Sequence, residues 1–216
     1  RSWVFDVLLF LVAVAPSRLF LNSPCRAAKD LLDTDVSAKD SICFVLYTVH
    51  NNTLKMTAQL YPLKEGVGRQ VQLEINRNGT WEKIAETRVS EEPYGWPQED
   101  IKRWTAHFRV ESWDHSKEYQ YRVVAADGAA TLTGTVRKDP VEKKEIVVAA
   151  FTGNSNRDRR LKPDIIHNIK AQDPDLLFFS GDQSYDHKLH FQAWLLFGRQ
   201  FGEITKDRPT ITIPDD

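Results

Sequence analysis

The stretch Asp175-Leu176-Leu177-Phe178-Phe179-Ser180-Gly181-Asp182-Gln183-Ser184-Tyr185-Asp186 decides the fold. Its apolar run is short and unbroken, the pattern of a strand covered on both faces. It ends abruptly at Gly181-Asp182 in oxygen-bearing side chains. Upstream, Ile146-Val147-Val148-Ala149-Ala150-Phe151 is a second such run, and it leads into Thr152-Gly153-Asn154-Ser155-Asn156-Arg157-Asp158. Downstream, residues 209–213 form a third, followed by Pro214-Asp215-Asp216. Between the first two runs, Pro163 opens a helix over 163–172, with Ile165, Ile166 and Ile169 on one side. Residues 188–201 read as a second helix that packs through Phe191, Trp194, Leu195 and Phe201. Strand, helix, strand, helix, strand is the opening of an α/β domain with a parallel sheet. Ligands of such sheets gather outside the carboxyl ends of the strands.

Toward the N-terminus the period changes. Asp139-Pro140-Val141-Glu142-Lys143-Lys144-Glu145 is a charged joint, and seven short strand-like runs precede it, over 43–49, 55–61, 70–75, 80–89, 105–110, 118–126 and 130–137. Lys55-Met56-Thr57-Ala58-Gln59-Leu60 and Val71-Gln72-Leu73-Glu74-Ile75 alternate apolar and polar residues, so one face is buried and the other wet. Asn78-Gly79 is a hairpin dipeptide, because both central residues of the turn must reach positive φ; Asp127-Gly128 repeats the signal. This pattern predicts an antiparallel β-sandwich of immunoglobulin or fibronectin type. Trp81 and Trp113 read as core. Tyr94, Trp96 and Trp104, around a proline-rich loop, read as a plug between domains.

The expected organisation is therefore an apolar N-terminal helix and linker over 1–36, a β-sandwich domain over 37–139, and the first part of an α/β domain over 140–216. By length the run 7–15 also suits the core of a signal peptide, but Asp6 and the want of a small-residue cleavage site favour a buried helix. The run is too short to span a membrane. Both ends of the chain read as cut. With 29 basic and 30 acidic residues the net charge is −1, so no global field recruits nucleic acid or an anionic membrane. Cys25 and Cys43 sit in no zinc-binding spacing and read as two thiols.

The three strand ends offer carboxylates, an amide oxygen and a phenol, donors that suit hard cations and iron. The Gly181-Asp182-x-x-Tyr185 turn after an apolar strand, and the Asp215-Asp216 pair after a later one, resemble the metal motifs of PhoD-like alkaline phosphatases. Members of that metallophosphatase family carry a small β-sandwich before the catalytic domain, and the order here is similar over roughly residues 40 to 216. The resemblance implies a metal-dependent phosphoester hydrolase with a dinuclear site. In it Asp182 bridges two ions, Tyr185 ligates one as phenolate, and Asp216 holds the next ligand position. Asn154 stands where the family places a cysteine. An amide oxygen is a harder and weaker ligand than a thiolate, so calcium or manganese gains weight against iron. Arg157, Arg159 and Arg160 offer a local positive cluster for the phosphate of the substrate. The family likeness also suggests an exported protein.

Plainer readings stand beside these. Asp182 and Asn154 suit turns, Tyr185 suits a core cap, the three arginines suit a solvated face, and His167, His187 and His190 suit exposed helix positions. Within the enzyme class the competing reading is a phosphodiesterase with the same metals. Outside it, the substitution at Asn154 allows a catalytically impaired cell-surface binding protein whose sandwich does the binding.

Overall fold

The computed structural model describes residues 6–11, 31–93, 95, 100–152 and 159–213. Strand β1 (Asp6–Leu11) opens the chain. There follow β2 (Ile42–His50), β3 (Thr53–Leu60), β4 (Gln70–Arg77), β5 (Thr80–Arg88), β6 (Thr105–Val110), β7 (Tyr119–Ala125) and β8 (Ala130–Val136). The last third holds β9 (Glu145–Phe151), α1 (Pro163–Gln172), β10 (Leu176–Phe179), α2 (His190–Thr205) and β11 (Thr210–Thr212).

Strands β2 to β8 form two antiparallel sheets, in the orders β2-β3-β6 and β5-β4-β7-β8. Their inward residues share one core: Tyr47, Met56 and Phe108 from the first sheet meet Leu73, Tyr121 and Val123 from the second. The alternation seen in the sequence is the cause. In β4, Val71, Leu73 and Ile75 are buried while Gln72, Glu74 and Asn76 are half-buried. Trp113 lies in this core, whereas Trp81 is half-buried beneath the Arg122 guanidinium, 4.7 Å from the ring centroid. Asn78 and Gly79 take φ of 54° and 89° in the β4–β5 turn, as a two-residue hairpin requires. Asn51 and Asn52 do the same between β2 and β3, at 46° and 58°.

The parallel sheet has the order β1-β9-β10-β11. Here the structure corrects the expected N-terminal helix. Residues 6–11 are a strand, paired in parallel with β9 from Asp6↔Glu145 to Leu11↔Ala150. A continuous apolar run serves a buried helix and a buried parallel strand equally well. The free backbone edge of β9 decides between them, because its N–H and C=O groups require partners.

Both helices pack on one face of this sheet. Ala149, Phe151, Leu177 and Phe179 meet Ile169 of α1 and the aromatic residues of α2 in a second core. By strand alternation, Ile146, Val148, Leu176, Phe178 and Ile211 point to the opposite face, where Ile211 is 39% exposed. The two units are joined through Phe44 of β2, which is buried in the core of the parallel sheet, and through Phe191 and Leu195 of α2, which belong to the core of the antiparallel sheets. Among the described residues no helix is long and apolar enough to cross a membrane.

Candidate functional site at the carboxyl ends of the parallel strands

The tips of β9, β10 and β11 lie in one row. Phe151 pairs with Phe179, and Phe179 pairs with Thr212. Adjacent strands are about 4.8 Å apart, so the three tips sit within about 10 Å of one another. Backbone bonds fix the row: Ser180 N–H donates to Phe151 O at 3.0 Å, and Ile213 N–H donates to Phe179 O at 3.0 Å. The Ser180 hydroxyl adds a second bond to Phe151 O at 3.1 Å. At the amino ends of the strands, the buried Asp175 carboxylate accepts from Val147 N–H at 3.0 Å and from Lys143 Nζ. The rack is thus pinned at both ends.

Beyond Ser180 the chain turns through Gly181 (φ 100°) and Asp182 (φ 57°). Two successive residues in the left-handed region reverse the chain at the strand tip. Glycine enters that region freely, and aspartate tolerates it better than most side chains. The turn leaves the Asp182 carboxylate half-buried, with no hydrogen bond or ion pair to any described residue. The neighbouring Gln183 amide nitrogen is buried and meets no acceptor among the described residues. A half-buried carboxylate that meets no partner among the described residues suits a cation. Tyr185 follows at 39% exposure, so it is no core cap. Asp186 closes the loop: its N–H donates to the Ser184 hydroxyl at 3.1 Å, and its carbonyl accepts from Leu189 N–H at 2.8 Å.

The loop after β9 approaches the same place. Arg159 (φ 53°) pairs with Asp186 at 3.9 Å, which brings one of the three arginines to the Asp182 loop. The Arg160 carbonyl accepts from the buried Gln200 of α2 at 2.8 Å, so the returning chain is tied to the helix beneath it. The Arg160 side chain is exposed. Asn154, Arg157 and Asp216 lie outside the described residues, as do Tyr94 and Trp96 of the proline-rich loop. His167 and His190 are exposed, as their plain reading has it. Asp186 and Gln200 were not singled out from the sequence, since each gains its role only from a residue distant along the chain. Among the described residues no three His, Cys, Asp or Glu side chains gather to hold a metal ion. Cys43 is a free thiol, and Cys25 lies outside the described residues.

No protein-family model matches the chain, and no curated protein matches it by sequence. Among solved structures, the fold is similar to that of purple acid phosphatase PPD1 from yellow lupin (Lupinus luteus) seeds. The TM-score is 0.54 at 13% identity, over 80% of this chain and 34% of that one. The chain therefore spans about a third of that phosphatase. At this identity the likeness concerns the fold alone.

Proposed function

We propose that the chain forms part of a metal-dependent phosphoester hydrolase of the PhoD-like kind, with a dinuclear site at the carboxyl ends of β9, β10 and β11. The observation that carries this is the aligned row of strand tips that presents the unpartnered Asp182 carboxylate from a left-handed turn. In this reading the antiparallel unit is a sandwich of immunoglobulin or fibronectin type, which its strand orders support. The apolar outer face of the parallel sheet supports a larger α/β domain, because parallel sheets occur with both faces covered.

Asp182 would serve both ions, Tyr185 would hold one of them, and Asn154 and Asp216 would complete the donor set. These are hard oxygen donors, which suit calcium or manganese, with iron favoured only by the family resemblance. Bound cations supply Lewis acidity and neutralise charge on the phosphoryl group. The chain's own contribution is to orient and stabilise: Arg157, Arg159 and Arg160 offer guanidinium forks to the equatorial phosphate oxygens, where charge builds in the transition state. Asp186 restrains Arg159 beside the loop.

With only part of the donor set in place, the chain by itself is expected to be inactive, so the test is elemental analysis of the full-length protein together with hydrolysis of an aryl phosphate and an aryl diphosphate ester. Stoichiometric metal and turnover of at least one ester are expected, and Asp182→Asn abolishes both. Metal-free protein inert toward both esters, or an Asp182→Asn variant as active as the parent, overturns the assignment.

A further inference from the structure

A cleft of about 350 Å³ lies between α2 and the β3–β6 side of the antiparallel unit. Gln59, Arg103, Thr105, His107 and Trp194 line it, and no carboxylate is among them. Gln59 is only 2% exposed, and the backbone orients its amide. Nε2 donates to the carbonyls of Leu60 at 3.0 Å, Arg103 at 2.9 Å and Trp104 at 3.3 Å, so nitrogen and oxygen cannot exchange places. Oε1 therefore faces away from those carbonyls. It meets no donor among the described residues and keeps contact with solvent, which for a residue this buried is contact with the cleft.

Trp194 is half-buried and supplies the flat wall. One indole face stacks on Phe197, with centroids 5.0 Å apart and planes 2° from parallel. Phe44 meets Trp194 in a T-shaped contact at 5.2 Å but lies 6.0 Å from Phe197, too near for it to stand over the opposite indole face. That face is covered by no aromatic ring among the described residues. Arg103 is exposed at the mouth. Its Nε donates to Pro93 O at 2.9 Å, while its terminal nitrogens meet no carboxylate among the described residues. His107 is a fixed wall: Nδ1 lies 3.0 Å from the Thr57 hydroxyl and Nε2 3.1 Å from the Thr105 hydroxyl, so both ring nitrogens are engaged.

An uncovered indole face, an oriented acceptor and a cation without a carboxylate select three features in one ligand: a planar ring, an N–H donor and a negative group. Bases stack on aromatic side chains, and a guanidinium fork suits phosphate. We propose that this cleft binds a nucleoside monophosphate, whose base lies on Trp194 and donates an N–H to Gln59 Oε1 while its phosphate meets Arg103. The volume is within the usual range for ligand sites, about 300 to 1,000 Å³. No residue of the strand-tip loops lines the cleft, so the site does not depend on the hydrolase reading.

The test uses the whole chain labelled with nitrogen-15 at tryptophan, with the Trp194 indole signal assigned by its loss in Trp194→Phe. Adenosine monophosphate is expected to move that signal saturably, and inorganic phosphate is not. Adenosine, which lacks the charge, binds about tenfold more weakly, the worth of one charge-assisted hydrogen bond. Purine riboside monophosphate, which lacks the exocyclic N–H donor, binds about fivefold more weakly, the worth of one neutral hydrogen bond. Arg103→Ala, a change at an exposed side chain, brings adenosine monophosphate down to the level of adenosine and leaves adenosine binding unchanged. The proposal fails if adenosine monophosphate leaves the Trp194 signal in place, or if phosphate alone moves it equally. It fails too if adenosine or purine riboside monophosphate binds as tightly as adenosine monophosphate, or if Arg103→Ala has no effect.

Discussion

Gly198→Ala in α2 sets two opposed effects against each other. In a helix interior the change from glycine to alanine stabilises by about 1 kcal/mol through backbone entropy. Against this, a methyl group at Gly198 would lie 1.9 Å from Phe44 Cδ1, 2.5 Å from Cε1 and 2.6 Å from Cγ. Phe44 is 1% exposed and cannot swing aside. Its ring meets Trp194 edge-on at 5.2 Å and Phe197 at 6.0 Å, and those two rings are themselves stacked at 5.0 Å. The overlap therefore takes the upper end of overpacking costs, about 3 kcal/mol, and the net effect is a loss of about 2 kcal/mol. Phe44→Ala alone loses about 3 to 5 kcal/mol. In that background the methyl group enters the space the ring has left, and Gly198→Ala becomes stabilising by about 1 kcal/mol. The coupling of about 3 kcal/mol is large but within reach of contacting pairs. Urea unfolding followed by tryptophan fluorescence reads all four corners of the cycle, and Phe44→Leu serves as a milder background. If Gly198→Ala stabilises the parent, or acts equally in both backgrounds, Phe44 does not lock the two units together.

Two further predictions concern ionisable groups. Burial pushes the Cys43 thiol up to about 12, with a hydrogen bond from Tyr61 and the charge of Arg199 acting weakly the other way. Cys43 is thus expected to resist iodoacetamide in the native chain near pH 8 and to react after unfolding, as mass spectrometry of the tryptic peptide will show; rapid native alkylation contradicts the burial. Because its folded value lies above the unfolded one, its contribution to stability is intact below about pH 8.5 and declines as pH rises through about 12. Asp173 behaves in the opposite sense. The Arg137 guanidinium beside it, bonded at 3.1 Å, holds its carboxyl below the usual range, with Arg208 assisting at 2.9 Å. Its contribution is therefore present above about pH 4 and lost as pH falls below that value. Asp173→Asn should flatten the acid limb of a stability–pH curve, and an unchanged limb refutes the role.

Local chemistry made the antiparallel unit legible, and non-local chemistry hid the rest. Alternation located β4, and the Asn78-Gly79 pair located its turn. Pro163 and the three isoleucines gave α1 its observed bounds. The second helix was expected to stop at Phe201 but continues to Thr205 through Gly202. That glycine lies against β2, where an added Cβ would stand 3.3 Å from Phe44 Cβ, so close approach of the backbone explains it better than helix termination. Strand β1 is not legible locally, because its apolar run carries no period to separate helix from strand and its partner lies 139 residues away in register. At the site, Gly181-Asp182 announced a turn, and the structure places it at a strand tip. The Arg159–Asp186 pair had no local signal, since two separate loops must meet to make it.

The same non-local chemistry makes the antiparallel sheets part of the site's scaffold. The Asp182 loop is fixed on its upstream side by bonds from Ser180 to Phe151, which lie wholly within the parallel sheet. On its downstream side it runs through a short 3-10 turn over His187–Leu189 directly into α2. That helix is shared. Phe191 and Leu195, its first buried large residues, enter the core of the antiparallel sheets, while Phe197, Phe201 and Ile204 enter the other core. Just beyond the helix, the Lys206 carbonyl accepts from the buried Tyr121 hydroxyl at 2.9 Å, and the Asp207 carboxylate accepts from Thr135 N–H at 3.0 Å. Both partners lie on the antiparallel sheet, in β7 and β8. Half of the loop's support therefore comes from the neighbouring unit, and the part nearest Asp182 is the turn of α2 that packs there. Binding or catalytic constellations tolerate displacements of only about 0.5 Å, so, on the proposed reading of the site, a shift of the two units along the Phe44 seam would reach the carboxylate even with every strand-tip bond intact.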